Sequence, residues 1–207
     1  MTKFLHVNAS ARPGSQSLAI AETFLGALAE RDPAVEVDTW HLFADTLPEF
    51  GSVAAEAKMA VFGGQEQTPE QVEAWDAARA VFDRFAAADA YVFNVPMWNA
   101  GVPYVLKQWI DIVTQPGWAF GFDPAAGYSG LVTGKRAFVT YTSGVYAPGV
   151  PIEFGADFAT TFFDDWLRFV GITDVSVLRF APTVLTATPE EDFAQHKDLA
   201  RKAAADF

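Results

Sequence analysis

The 207-residue sequence contains no cysteine. Disulfides, thiolate nucleophiles, cysteine-held zinc and cysteine-held iron–sulfur clusters are therefore excluded. Histidine is nearly as scarce. His6, His41 and His196 are scattered and form no spacing of a metal-binding motif, so no metal site is expected. Basic charge is in deficit, with 14 Lys and Arg against 26 Asp and Glu and a formal net charge of −12. Polyanions bind through clustered Lys and Arg, which disfavours nucleic acid and anionic membrane surfaces as partners. No apolar run approaches bilayer-spanning length, and "MTKFLHVNAS" reads as a strand rather than a signal peptide. A cytoplasmic protein is the expectation. Apolar mass, by contrast, is plentiful: about half the residues, including nineteen Phe and six Trp. That suffices for the core of one α/β domain spanning residues 1–207.

Periodicity divides the chain into alternating elements. "KFLHVN" (3–8) reads as a buried strand, and Leu18, Phe24, Leu25 and Leu28 then fall on one helical stripe. "VEVDTW" from Val35 alternates as a second strand. A short helix ending at Gly63-Gly64 is expected in the following insertion. Thr68-Pro69-Glu70-Gln71 carries a capping-box pattern with Pro at the first helical position. The helix it opens should run to about Ala88. "AYVFNVP" (90–96) and "KRAFVTYT" (135–142) are near-continuous apolar strands, as in a sheet covered on both faces. Between them lie a helix carrying Val105, Leu106, Trp109, Ile110 and Val113, and a Gly-rich aromatic loop or hairpin over 118–134. A helix over Phe154–Val170, the strand "DVSVLRFA" and a last helix opened by a second capping-box pattern at Thr188 complete the chain. Five strands alternating with helices predict a parallel sheet in the flavodoxin-like order 2-1-3-4-5. His6 is expected to be a buried structural histidine, and His196 a solvated one.

Ligands in such sheets bind beyond the carboxyl ends of the strands, which directs attention to three loops. The first, "ASARPGSQS" (9–17), leads into a helix. Ser10, Ser15, Gln16 and Ser17 with the helix N-terminus suit a single phosphate monoester, although Ser15 or Ser17 capping the helix would explain them equally well. The loop matches neither GxxxxGK[ST] nor GxGxxG, which disfavours a nucleoside triphosphate or a pyrophosphate-held NAD. The second loop brings Pro96, Met97, Trp98 and Asn99. A thioether and an indole suit a flat aromatic ligand, and the amide suits its polar edge; the competing reading for Met and Trp is core packing. The third loop places Thr142, Ser143 and Gly144 at the same sheet edge, where Gly permits close backbone approach, or simply turns the chain. A monophosphate at one end and a polar-edged ring at the other describe an FMN site.

These motifs resemble the FMN-dependent NADH:azoreductase family of flavodoxin-like quinone and azo-dye reductases. The family's S-x-R-x-x-S-x-S pattern reads here as Ser10, Arg12, Ser15 and Ser17, and its P-M-[YW]-N motif as Pro96-Met97-Trp98-Asn99. "LKQWIDIVTQPGWAFGF", "GLVTGKRA" and "FVGITDV" extend the similarity over nearly the whole chain. Two departures stand out. Thr142-Ser143-Gly144-Val145 replaces the usual Ser-x-Gly-Gly, and Trp98 stands where Tyr is commoner. The resemblance implies non-covalent FMN and hydride transfer from NADH or NADPH to a quinone or azo acceptor in alternating half-reactions. It also implies a homodimer with the flavin sites at the interface. The flavin carries the chemistry, so no catalytic acid or base is assigned. Phe120, Phe122 and Tyr146 are candidates for the substrate pocket. Two rival readings are a flavodoxin-type electron carrier that does not turn over nicotinamide and a binding domain that has lost its flavin.

Overall fold

A computed structural model of the chain describes residues 2–207. Strands β1 (Lys3–Asn8), β2 (Glu36–His41), β3 (Ala90–Pro96), β6 (Arg136–Thr142) and β7 (Asp174–Phe180) form a five-stranded sheet in the order β2-β1-β3-β6-β7. All four pairings are parallel. By rank this is the expected 2-1-3-4-5 order. Two short strands, β4 (Phe120–Asp123) and β5 (Gly127–Gly130), pair antiparallel as a separate hairpin.

Among the described residues six α-helices accompany the strands: α1 (Gln16–Arg31), α2 (Ser52–Gly63), α3 (Pro69–Ala86), α4 (Tyr104–Val113), α5 (Ala159–Val170) and α6 (Pro189–Asp206). Alternate strand residues sort onto opposite faces. Leu5, Val7, Tyr91, Phe93, Val95, Ala137 and Val139 pack with α3, α4 and α5. Phe4, Ala90, Val92 and Phe138 pack with α1 and α6 on the other face. All five stripe residues of α4 are buried. Trp109 lies at the centre, with ring centroids 5.2 Å from Phe85 and 5.5 Å from Trp166. This aromatic block backs the carboxyl half of β3 and makes it a stiff platform for the loop beyond.

The helix ends show where local signals won or lost. Thr68 and Gln71 form the full capping box at α3, and α2 stops at Gly64 in the left-handed region. At α6 the expected second box does not form. The Thr188 hydroxyl bonds Asp192, one residue beyond the box position, and the Thr186 hydroxyl bonds the same carboxylate. The helix expected over 154–170 begins only at Ala159. Phe154 instead ends a 3-10 turn, Ile152–Phe154, and residues 155–158, opened by Gly155 at φ +100°, have no regular structure. His196 is not simply solvated. Its Nδ1 lies 2.6 Å from the Asp192 carbonyl and its Nε2 2.9 Å from that of Arg179, with the ring against Phe180.

Candidate functional site

The loop after β1 delivers three serine hydroxyls to one point. The Ser10 Oγ lies 2.9 Å from that of Ser15 and 3.1 Å from that of Ser17, and the last two are 3.0 Å apart. Ser15 occupies the N-cap position of α1 in extended conformation, yet its hydroxyl makes no capping hydrogen bond. The expectation that a serine side chain caps this helix is therefore corrected: the hydroxyls turn to one another. The amides of the first turn keep their donor capacity and the positive end of the helix dipole. A closed triangle of hydroxyls at a bare helix N-terminus can redirect its O–H groups to an incoming oxyanion.

The loop after β3 is a tight reversal. Trp98 and Gly101 exchange two backbone hydrogen bonds of 2.8 and 2.9 Å, while Asn99 and Ala100 adopt φ of +48° and +66°. Positive φ at both central positions marks a type I′ turn. For alanine that conformation costs roughly 1–2 kcal/mol, and the Ala100 carbonyl is held by the Phe158 amide at 2.9 Å. The turn thus fixes Trp98, whose half-exposed ring leans on Phe43 and Tyr104 at 5.2 and 6.1 Å. Met97 is anchored by its amide to the Thr142 carbonyl, which ties the second loop to the third.

In the third loop the carbonyls of Ser143 and Gly144 accept from the amides of Thr183 and Val184 at 2.9 and 3.0 Å. The Ser143 hydroxyl is buried and has no partner among the described residues. Thr183 and Val184 come from a fourth loop, after β7, that sequence reading did not single out. The rule that sites lie beyond strand carboxyl ends applies to β7 as well, and it was the available signal.

A cleft of about 470 Å³ joins these loops. Ser10, Arg12, Ser15, Gln16, Pro96, Met97, Trp98, Thr142, Ser143 and Gly144 all line it, together with Ala11, Thr183 and Val184. Ser17 lies fully buried beneath it, within the hydroxyl triangle. Asn99 faces a neighbouring open groove of about 1030 Å³ bounded by α4, Phe162 and Lys58, and Trp98 lines both spaces. Phe120 and Phe122 do not reach the cleft of their own chain. Phe120 packs on Phe169 at 4.9 Å, and Phe122 is 62 % exposed beside Tyr128. Tyr146 lies behind the cleft, its ring against Gly155, where a Cβ would come within 1.9 Å of Cε1.

Arg12 is the single charged residue among those lining the cleft, which carries no carboxylate, histidine or tyrosine. The buried Tyr141, next in sequence to Thr142, donates to Asp164 at 2.6 Å. Burial, then that bond, pushes its phenol upward and keeps it neutral. Below the cleft, burial lowers the His6 imidazole to about 4, against a smaller upward pull from its hydrogen bond with Asn94. The cleft is thus built to bind and orient a ligand, and proton transfer by side chains has no group there to perform it.

Comparison with known proteins agrees with this geometry. A family model described as a flavodoxin-like fold matches residues 2–204. An FMN-dependent NADH:quinone oxidoreductase from Ruegeria pomeroyi is 45 % identical over 194 residues, covering 93 % of this chain and 95 % of that protein. A namesake from Nitratidesulfovibrio vulgaris is 36 % identical over 211 residues with both chains fully covered. Among solved structures, an azoreductase from Bacillus anthracis superposes with a TM-score of 0.90 at 28 % identity, again over the whole of both chains. The chain therefore belongs to the family of flavodoxin-like fold proteins that includes the FMN-dependent NADH:quinone oxidoreductases.

Proposed function

We propose that the protein is an FMN-dependent NAD(P)H oxidoreductase that reduces quinones and azo compounds, with residues 1–207 acting as one flavin-binding unit. The observation that carries this reading is the pairing, in one cleft, of an uncapped helix N-terminus bearing three clustered hydroxyls with an aromatic-thioether wall. The unpartnered Ser143 hydroxyl at the far side supports the fit of a ligand with polar atoms at both ends. When bound, FMN supplies two-electron hydride chemistry, accepting from NADH or NADPH and passing to the acceptor in alternating half-reactions.

The chain's own residues then have distinct tasks. Ser10, Ser15, Gln16 and Ser17 hold the phosphate, with the α1 amides as donors and Arg12 as the nearby cation. Pro96, Met97 and Trp98 form the wall for the ring, and Asn99 stands at its margin. Thr142, Ser143 and Gly144 serve the pyrimidine side, where hydrogen-bond donors favour the extra electron density of reduced flavin.

We also infer a homodimer. Tyr104, Phe122, Tyr128, Ile152 and Phe158 are each more than 60 % exposed, an excess of large apolar surface that a second copy would cover. Phe120 and Phe122 would then serve the partner's cleft. The net charge of −12 weighs against nucleic acid and anionic membrane surfaces as partners; no helix among the described residues is long and apolar enough to cross a membrane. The relatives named as NADH:quinone oxidoreductases weigh against the electron-carrier alternative.

The test is anaerobic addition of NADH to the FMN-loaded protein with no other protein present. Bleaching of the flavin, reversed by a quinone, is expected. A yellow protein inert to NADH and NADPH would identify a carrier, and a preparation that rejects FMN would identify a flavin-free binding domain.

A further inference from the structure

Beneath the serine triangle runs a row of polar residues across four parallel strands. The sheet register places His41, Asn8, Asn94 and Thr140 side by side on β2, β1, β3 and β6, on the face covered by α1. Asn8, Asn94 and Thr140 are buried, a costly location for polar groups that demands partners. Two of the bonds that satisfy the asparagines lie within the row and three reach Ser10 and His6, while the Thr140 hydroxyl has no partner among the described residues. Asn94 Nδ2 donates to Asn8 Oδ1 and to Ser10 Oγ, each at 2.9 Å. Asn94 Oδ1 receives His6 Nε2 at 2.8 Å. Asn8 Oδ1 also takes the Ser10 amide at 2.9 Å, and Asn8 Nδ2 lies 3.1 Å from His41 Nδ1.

We propose that Asn94 is a positioning residue for the flavin phosphate, acting through the Ser10 hydroxyl; the inference rests on the FMN reading above. Both amide hydrogens of Asn94 are committed, and its oxygen is fixed by His6. A flip would set two carbonyl oxygens, those of Asn94 and Asn8, against each other, so the amide has one orientation. In that orientation Asn94 is a pure donor toward Ser10. The Ser10 oxygen is thereby engaged from below, and its own hydrogen points away from the sheet, toward the triangle and the cleft. When a phosphate draws the three O–H groups outward, the bonds within the triangle open. Ser10 alone among the three has a side-chain donor from the sheet that still holds its oxygen in place. An acceptor at position 94 would reverse the sense of the bond and turn the Ser10 hydrogen away from the ligand.

A role confined to folding would weaken all ligands alike, whereas positioning of a phosphate donor affects only ligands that carry phosphate. The experiment compares dissociation constants for FMN and for riboflavin, by fluorescence titration of the wild-type protein and of Asn94→Ala and His6→Phe. Loss of one well-placed hydrogen bond to a charged group corresponds to about tenfold or more in affinity. Asn94→Ala is expected to weaken FMN binding by about that factor while leaving riboflavin binding unchanged. His6→Phe keeps both Asn94 donors but removes the bond that anchors its oxygen; the amide loosens without flipping, and a smaller loss confined to FMN is expected. Riboflavin binding by each variant reports that the fold is intact. If Asn94→Ala folds and keeps the wild-type preference for FMN over riboflavin, or if both ligands weaken equally, Asn94 has no positioning role. If Asn94→Ala does not fold, His6→Phe decides: an unchanged FMN preference there overturns the proposal. A wild-type protein that binds FMN no better than riboflavin would overturn the phosphate assignment itself, a separate result.

Discussion

His6→Phe has a second consequence, readable as acid stability. The imidazole is 2 % exposed and lies in β1 among apolar neighbours. Burial lowers its pKa from 6.5 to about 4; the bond to Asn94 opposes this, and nearby His41 adds slightly to it. The unfolded chain therefore takes up a proton near pH 6.5, while the folded chain refuses it until about pH 4. Above the upper value both states are neutral and the histidine contributes no pH dependence. Through the window below it, stability falls as pH falls, by about 1.4 kcal/mol for each pH unit. Below about pH 4 the loss levels off, at about 3 kcal/mol in total. His6→Phe removes this titration and leaves other groups as they were. Urea unfolding of flavin-free wild type and variant, followed from about pH 7 to about pH 4.5, should show their stability difference shifting by about 2 kcal/mol in favour of the variant. A difference that stays constant across that range would refute a buried neutral His6.

Further outcomes follow from other parts of the structure. Ser15→Ala combined with Ser17→Ala removes two of three clustered hydroxyls and should weaken FMN retention by about tenfold or more; wild-type affinity in equilibrium dialysis would refute the phosphate assignment. Gly130→Ala places a Cβ within 2.3 to 2.5 Å of the Val170–Gly171 backbone. It should loosen the β4–β5 hairpin from α5, read as faster amide exchange in the hairpin. Thr68→Ala breaks the capping box of α3 and should cost about 1 kcal/mol in chemical unfolding, without effect on flavin binding. Trp109→Ala empties the centre of the aromatic block and should cost about 3–5 kcal/mol.

Sheet order, the main helices and the three loops could be read from period and turn chemistry, because apolar runs of five to seven residues bounded by Gly, Pro or Ser leave few alternatives. The glycines of 118–134 mark a loop or a hairpin, and the structure forms a hairpin within it from β4 and β5. What could not be read depends on register and on competition between partners. The polar row joining His41, Asn8, Asn94 and Thr140 exists because four strands align, and residues 33 to 86 positions apart carry no mutual signal in one sequence. The failed second capping box turned on Asp192, whose carboxylate accepts from the Thr186 and Thr188 hydroxyls, and the Thr188 side chain takes no bond from a helix amide. The start of α5 was misplaced because the apolar residues before it, Phe154 and Phe158, look helical by composition. Gly155 at φ +100° breaks the run there.

The central claim is that the cleft between the β1, β3 and β6 loops, rather than the larger groove beside α4, holds FMN by its phosphate. A crystal structure of the FMN complex tests it directly. The account predicts the phosphate against the hydroxyls of Ser10, Ser15 and Ser17 at the start of α1, with the ring along Met97 and Trp98. A flavin lying in the groove near Lys58 and Phe162, or a phosphate on any other helix, would contradict it.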